Sequence, residues 1–103
     1  MQKKLHSPEV DTLFDAILSL KNRGECYQFF EDLCTVNELQ SLAQRLDVAF
    51  QLTRGRTYME ISEATGASTA TISRVNRSLN YGNDSYKMVL ERINHPDHED
   101  DQE

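Results

Sequence analysis

The stretch TYMEISEATGASTATISRVNRSL, Thr57 to Leu79, constrains this chain more than any other. It predicts two short helices joined by a tight turn. Thr57 and Glu60 have the T-x-x-E spacing of a capping box, in which each side chain satisfies a backbone N–H at the other's position. Ile61 and Ala64 then face one side of the first helix. Gly66 stands where that helix should stop, because glycine takes the left-handed C-terminal conformation without a Cβ penalty. Ser68 is suited to N-cap a second helix. Ile72, Val75 and Leu79 recur at three and four residues and predict its buried stripe.

Two helices closed in this way have the shape of a helix-turn-helix. Thr69, Ala70, Ser73, Arg74 and Arg77 fall off the apolar stripe of the second helix. They are small or hydrogen-bonding at its front and basic further back. A helix entering the major groove needs short side chains for close approach to base edges and cations for phosphates. An ordinary helical hairpin with a polar outer face could use the same turn, and the residue types outside the stripe favour DNA. Thr69, Ala70 and Ser73 are the expected base-edge neighbours. Ser68 and Thr71 are placed to bond phosphate, and Arg56 and Arg77 to neutralise it.

At 103 residues the chain is one domain by size. Charged residues make up 27% and hydrophobic ones 38%. No apolar run approaches the roughly 20 residues of a membrane span. MQKKLHSPEV has no apolar stretch after its lysines, so no signal peptide is expected and a cytoplasmic location is. Cys26 and Cys34 are eight apart in helical pattern and read as buried thiols in a reducing compartment, not as metal ligands.

The net charge of −6 argues against nucleic acid until its distribution is read. Asp97, Glu99, Asp100, Asp101 and Glu103 give residues 94–103 a charge of −5, which leaves −1 for the rest. Between Thr53 and Asn80, Arg54, Arg56, Arg74 and Arg77 outweigh Glu60 and Glu63 by +2. The excess is small and sits on the reading unit, so modest, salt-dependent affinity is expected.

In chain order, Ser7-Pro8 opens a first helix with an apolar face of Val10, Leu13, Phe14, Ile17 and Leu18, ended at Asn22-Arg23-Gly24. Tyr27, Phe29, Phe30 and Leu33 predict a short second helix. Thr35 and Glu38 form another T-x-x-E box. It opens a long helix with Leu39, Leu42, Ala43, Leu46, Ala49 and Phe50, closed near Arg54-Gly55. After the two motif helices, Tyr81 to Asp84 turn the chain, and Ser85 caps a last helix with Tyr86, Val89, Leu90 and Ile93. The fold class is therefore all-α with six helices. A helical DNA-binding and dimerisation domain is expected over residues 1–93, and a disordered acidic tail over 94–103. The first helix carries more apolar surface than a peripheral helix needs. This points to a homodimer, which would present two reading helices to half-sites about 34 Å apart.

The order of helices and the run GASTATISRVNRSL resemble the bacterial trp repressor-like proteins, most closely the YerC/YecD branch. The resemblance spans roughly Leu13 to Ile93. It is strongest over Leu33-Cys34-Thr35-x-x-Glu38, Arg54-Gly55 and Gly66 to Leu79. It implies a six-helix trp repressor-like fold, an intertwined dimer, and paired helix-turn-helix units that bind double-stranded DNA as a transcriptional repressor. In the family, bound tryptophan sets the spacing of those units.

By the same resemblance, the two arginines that hold tryptophan match Arg45 on the long helix and Arg74 on the reading helix. A threonine opening the long helix matches Thr35, and a serine late in the reading helix matches Ser78. Two positions depart. The glycine that follows the reading-helix arginine is Val75 here, and a leucine three residues before the threonine is Asp32. A side chain in a preformed slot and a charge beside an apolar ring both oppose binding. Tryptophan is therefore not expected to be the co-repressor, no cofactor is expected, and another small ligand is left open. Basic positions of the family's first motif helix match Met59 and Ser62.

An enzyme is not expected. His6, His95 and His98 lie at the chain ends, and Ser68 and Ser73 have no base within a helical turn. There is no glycine-rich phosphate loop. The alternative from another class is a helical protein-interaction module that uses the helix-turn-helix only as architecture. Replacing Arg74 and Arg77 separates the two, because only a DNA reader loses duplex binding.

Overall fold

The computed structural model describes residues 5–93. The acidic tail over 94–103, its expected disorder, and His95 and His98 lie outside the described residues. Six α-helices and no strand make up the described residues: α1 Pro8–Leu18, α2 Arg23–Leu33, α3 Val36–Thr53, α4 Tyr58–Thr65, α5 Thr69–Tyr81 and α6 Ser85–Ile93. The chain divides between Leu39 and Gln40 into two compact units, with the boundary in the first turn of α3.

Local chemistry sets the helix starts of the first unit. Ser7 caps α1, its Oγ accepting the Val10 N–H at 3.2 Å with Pro8 at the first helical position. The helix stops at Leu18, with Ser19 as its C-cap, earlier than Asn22-Arg23-Gly24. Asn22 instead opens α2, accepting the Glu25 N–H at 2.9 Å. Asparagine serves both as a helix stop and as an N-cap, and the side-chain bond to the third residue ahead decides between them here. The Thr35–Glu38 box is made in both directions, at 2.9 and 3.0 Å.

No residue of α1 or α2 is buried. Phe14 is 54% exposed and Leu18 81%. Cys26 is exposed and Cys34 half-buried, so the expectation of buried thiols does not hold in the single chain. A helix with no core beneath it cannot bury what its pattern marks as apolar.

The second unit holds the core. Val48 and Ala49 of α3, Ile61 of α4, Ala67 of the turn, Ile72, Val75 and Leu79 of α5, and Leu90 of α6 are buried together. Leu46, Phe50, Leu52 and Tyr86 pack around them. The α5 stripe is the one its spacing predicts. Ala64 is exposed, and Ala67 takes the inward place beside Ile61. In α3, burial centres on Val48 and Ala49, while Leu42 and Ala43 stay outside. At the last turn, Asp84 takes a left-handed φ of 64° and Ser85 is the first residue of α6 instead of its cap.

Candidate nucleic-acid interface

The turn between α4 and α5 is built from the backbone outward. The Thr57–Glu60 capping box closes at 2.9 and 3.1 Å and fixes the start of α4. Gly66 ends it at φ 77°, its N–H bonding the Ser62 carbonyl at 2.8 Å. Side chains then lock the three residues between the helices. Ser62 Oγ donates to the Ala67 carbonyl at 2.9 Å, and Thr65 Oγ1 accepts the Ala67 N–H at 3.1 Å. Gln44 Nε2 of α3 donates to the Thr65 carbonyl at 3.1 Å and ties the turn to the long helix. Ser68 then caps α5, accepting the Thr71 N–H at 3.1 Å.

With Ile72, Val75 and Leu79 inward, the rest of α5 divides into a crest and two flanks. Ala70, Ser73 and Arg77 stand on the exposed crest. One flank faces α4, where Asn76 Nδ2 donates to Tyr58 Oη at 3.1 Å and Asn80 Nδ2 to Asn76 Oδ1 at 3.2 Å. Thr69 is exposed at the head of the helix. The other flank carries Thr71, Arg74 and Ser78. Crest side chains are short near the N-terminus and basic one turn or more later, the order a groove-reading helix requires.

The remaining sequence candidates divide between structural and free roles. Ser68 Oγ is committed to the cap and to Thr71 Oγ1, at 3.1 Å. Arg56 is exposed, and its Nη1 donates to Gln51 Oε1 at 3.1 Å. Ser62 spends its hydroxyl on the turn, while Met59 is 73% exposed. The Tyr58–Asn76–Asn80 bonds were not read from sequence, because a pair eighteen residues apart becomes visible only when the helix crossing is known.

The flank of α5 opposite Tyr58 lines a cleft of about 310 Å³. Arg45, Arg74, Val75 and Ser78, four of the six ligand-site positions assigned by resemblance, meet there. Ala70, Thr71, Ser41 of α3 and Tyr86 of α6 complete it. Thr35 belongs to the first unit, where it caps α3. Asp32 is exposed on α2 in that same unit. Val75 is only 2% exposed, so it is core and cleft wall at once. Ser41 and Tyr86 escape a sequence reading because nothing in their own helices marks them. Among the described residues no cluster of His, Cys, Asp or Glu could hold a metal ion, and no helix is long and apolar enough to cross a membrane.

An all-helical chain with a left-handed glycine turn and a polar-crested second helix is a helix-turn-helix protein. Its family follows from comparison. The profile of the Trp repressor protein family matches residues 8–94, and the chain belongs to that family. It is 64% identical over 90 residues to the uncharacterized protein YerC of Bacillus subtilis (strain 168), covering 87% of this chain and 86% of that one. The crystal structure of a TrpR-like protein from Eubacterium eligens ATCC 27750 superposes with a TM-score of 0.87 at 62% identity, over 89% of this chain and 95% of that one. A proposed Trp repressor from Staphylococcus aureus gives a TM-score of 0.88 at 63% identity, over 91% and 95%.

Proposed function

We propose that this chain is a homodimeric, sequence-specific DNA-binding transcriptional regulator that reads duplex through α5 and is not controlled by tryptophan. The observation that carries the reading is the exposed crest of Ala70, Ser73 and Arg77 on a helix whose Ile72, Val75 and Leu79 are buried. The locked turn supports it, because a rigidly presented helix keeps its side chains in register with base edges. Arg77, exposed on the crest, and Arg56, exposed just before α4, contact phosphate in this reading, and Thr69, Ala70 and Ser73 approach base edges. Thr71 bonds phosphate from the first turn, while Ser68 holds the cap. The dimer is supported by α1 and α2, which bury nothing in one chain. Tryptophan is disfavoured by Val75, which is buried where the family pattern has glycine.

Fluorescence anisotropy with genomic fragments and random duplex at two salt concentrations, with and without L-tryptophan, tests this. Selective, salt-weakened binding that ignores tryptophan and is lost in Arg77→Ala is the expected outcome. Binding to no duplex under any condition overturns the DNA reading in favour of a protein-interaction module. Tryptophan-dependent binding overturns the role given to Val75.

A further inference from the structure

We infer that the Tyr58–Asn76–Asn80 hydrogen-bond chain is a clamp that holds the reading helix at its crossing with α4, and that selectivity among DNA sequences depends on it. The effect on DNA rests on the proposed function, while the clamp itself can be tested without DNA.

The two motif helices are fastened at one end by the turn. Ser62 and Thr65 both bond Ala67, and Ser68 caps α5. A fastening at one end leaves a helix able to swing and to roll about that end. The shared core of Ile61, Ile72 and Val75 holds the pair together, but apolar contact has no preferred direction. Tyr58 and Asn76 supply a second, directional fastening. Tyr58 is the first residue of α4, and Asn76 lies seven residues beyond Thr69, the first of α5. Their bond is therefore about 10 Å along α5 from its start, at 1.5 Å per residue. Among the described residues it is the one hydrogen bond between side chains of the two helices.

Asn80 gives the clamp its sense. Its Nδ2 donates to Asn76 Oδ1 at 3.2 Å, so the Asn76 amide presents its own Nδ2 to Tyr58 Oη at 3.1 Å. Both ends of that amide are engaged. None of the three side chains is a cation, so the chain adds nothing to the salt-dependent attraction of phosphate. What it controls is direction. Asn76 lies on the flank beside the crest, and pinning that flank sets which way Ser73 and Arg77 point. Those two residues are farther from the turn than Thr69 and Ala70, so a given angular slip displaces them more. A binding constellation must be held to within about 0.5 Å.

The full-length protein and three variants test the clamp: Tyr58→Phe, Asn76→Leu and the double replacement. Phe and Leu keep the shapes and remove the polar atoms, and replacing both partners of a bond in this way is nearly neutral for stability. NMR residual dipolar couplings of the backbone N–H groups give the angle and order of α5 relative to α4 without DNA. Fluorescence anisotropy gives affinity for a selected genomic fragment and for random duplex at two salt concentrations. In each variant the α5 couplings should shift relative to those of α4. Affinity for the selected fragment should fall roughly three- to tenfold, as for one lost neutral hydrogen bond. Random duplex, held by phosphate charge, should change less than about twofold, with the same salt dependence. The double variant should lose no more than either single one, because both act through one bond. Unchanged couplings overturn the clamp. Shifted couplings with unchanged selectivity leave the bond a feature of stability alone and overturn the inference. An equal loss on both duplexes makes Tyr58 a DNA-backbone contact and overturns it as well. A wild-type chain that binds no duplex removes the proposed function, and the couplings alone then decide the clamp.

Discussion

Gly66 carries the direction of the reading helix in a single torsion. Its φ of 77° is left-handed, and a Cβ there would meet only Gln44 Nε2 at 3.9 Å. Space is therefore not the constraint, and backbone strain is. Gly66→Ala should cost about 1–2 kcal/mol in urea denaturation, the penalty of a left-handed L-residue. Gly82 poses the opposite problem. Its φ is ordinary, but a Cβ would lie 2.5 Å from the Ser78 carbonyl oxygen, a backbone atom that cannot swing aside. Gly82→Ala should destabilise more than Gly66→Ala, and equal midpoints for the two variants would refute this ranking. Gly66 was legible in sequence because a stop signal between a capping box and a serine cap is local. Gly82 was read only as part of a turn, since its close approach to Ser78 depends on how the end of α5 folds back.

At the scale of the element, helix starts were legible and burial was only partly so. Ser7, Thr35, Thr57 and Ser68 act on residues three ahead, and a three-residue interaction is visible in a string of letters. The stripe of α5 was also clear, because its period matches a helix that packs on one side. Asn22 was misassigned because stop and start use the same residue type. Ala64 and Leu42 were expected inside and are not, since partners distant in sequence choose which apolar residues are covered. The cleft was half legible: resemblance placed Arg45, Arg74, Val75 and Ser78, while Ser41 and Tyr86 came only with the fold. For α1 the unburied face makes a direct prediction. Burying a Phe or Leu side chain is worth about 1.5–3 kcal/mol. Phe14→Ser combined with Leu18→Ser should therefore weaken a dimer roughly a hundredfold or more. Sedimentation should show the wild-type chain as a dimer and the double variant as a monomer at the same concentration. A monomeric wild type would remove the dimer from the proposed function.

For the whole molecule, charge placement matters more than charge total. Nearly all of the −6 resides in residues 94–103, and the stretch from Thr53 to Asn80 is positive. A mobile-ion atmosphere screens such long-range opposition over about 10 Å at 0.1 M salt. Replacing Asp97, Glu99, Asp100, Asp101 and Glu103 with the matching amides should tighten duplex binding at low salt. The gain should shrink as salt rises, because the tail's repulsion of phosphate is screened first. Anisotropy titrations of both proteins at two salt concentrations measure this, and identical affinities at low salt would show that the tail is electrostatically irrelevant to DNA.

Val75 serves the interior and the cleft with the same methyl groups. Trimming it to enlarge the cleft would also open a void in the core, and removing buried methyl groups from an interior typically costs more than their transfer energy alone. A lineage carrying valine here cannot widen the cleft by this one change: a wider slot must arrive together with compensating substitutions among Ile61, Ile72 and Val48, the side chains that fill the same interior. The width of the cleft is thus inherited along with what keeps the chain folded.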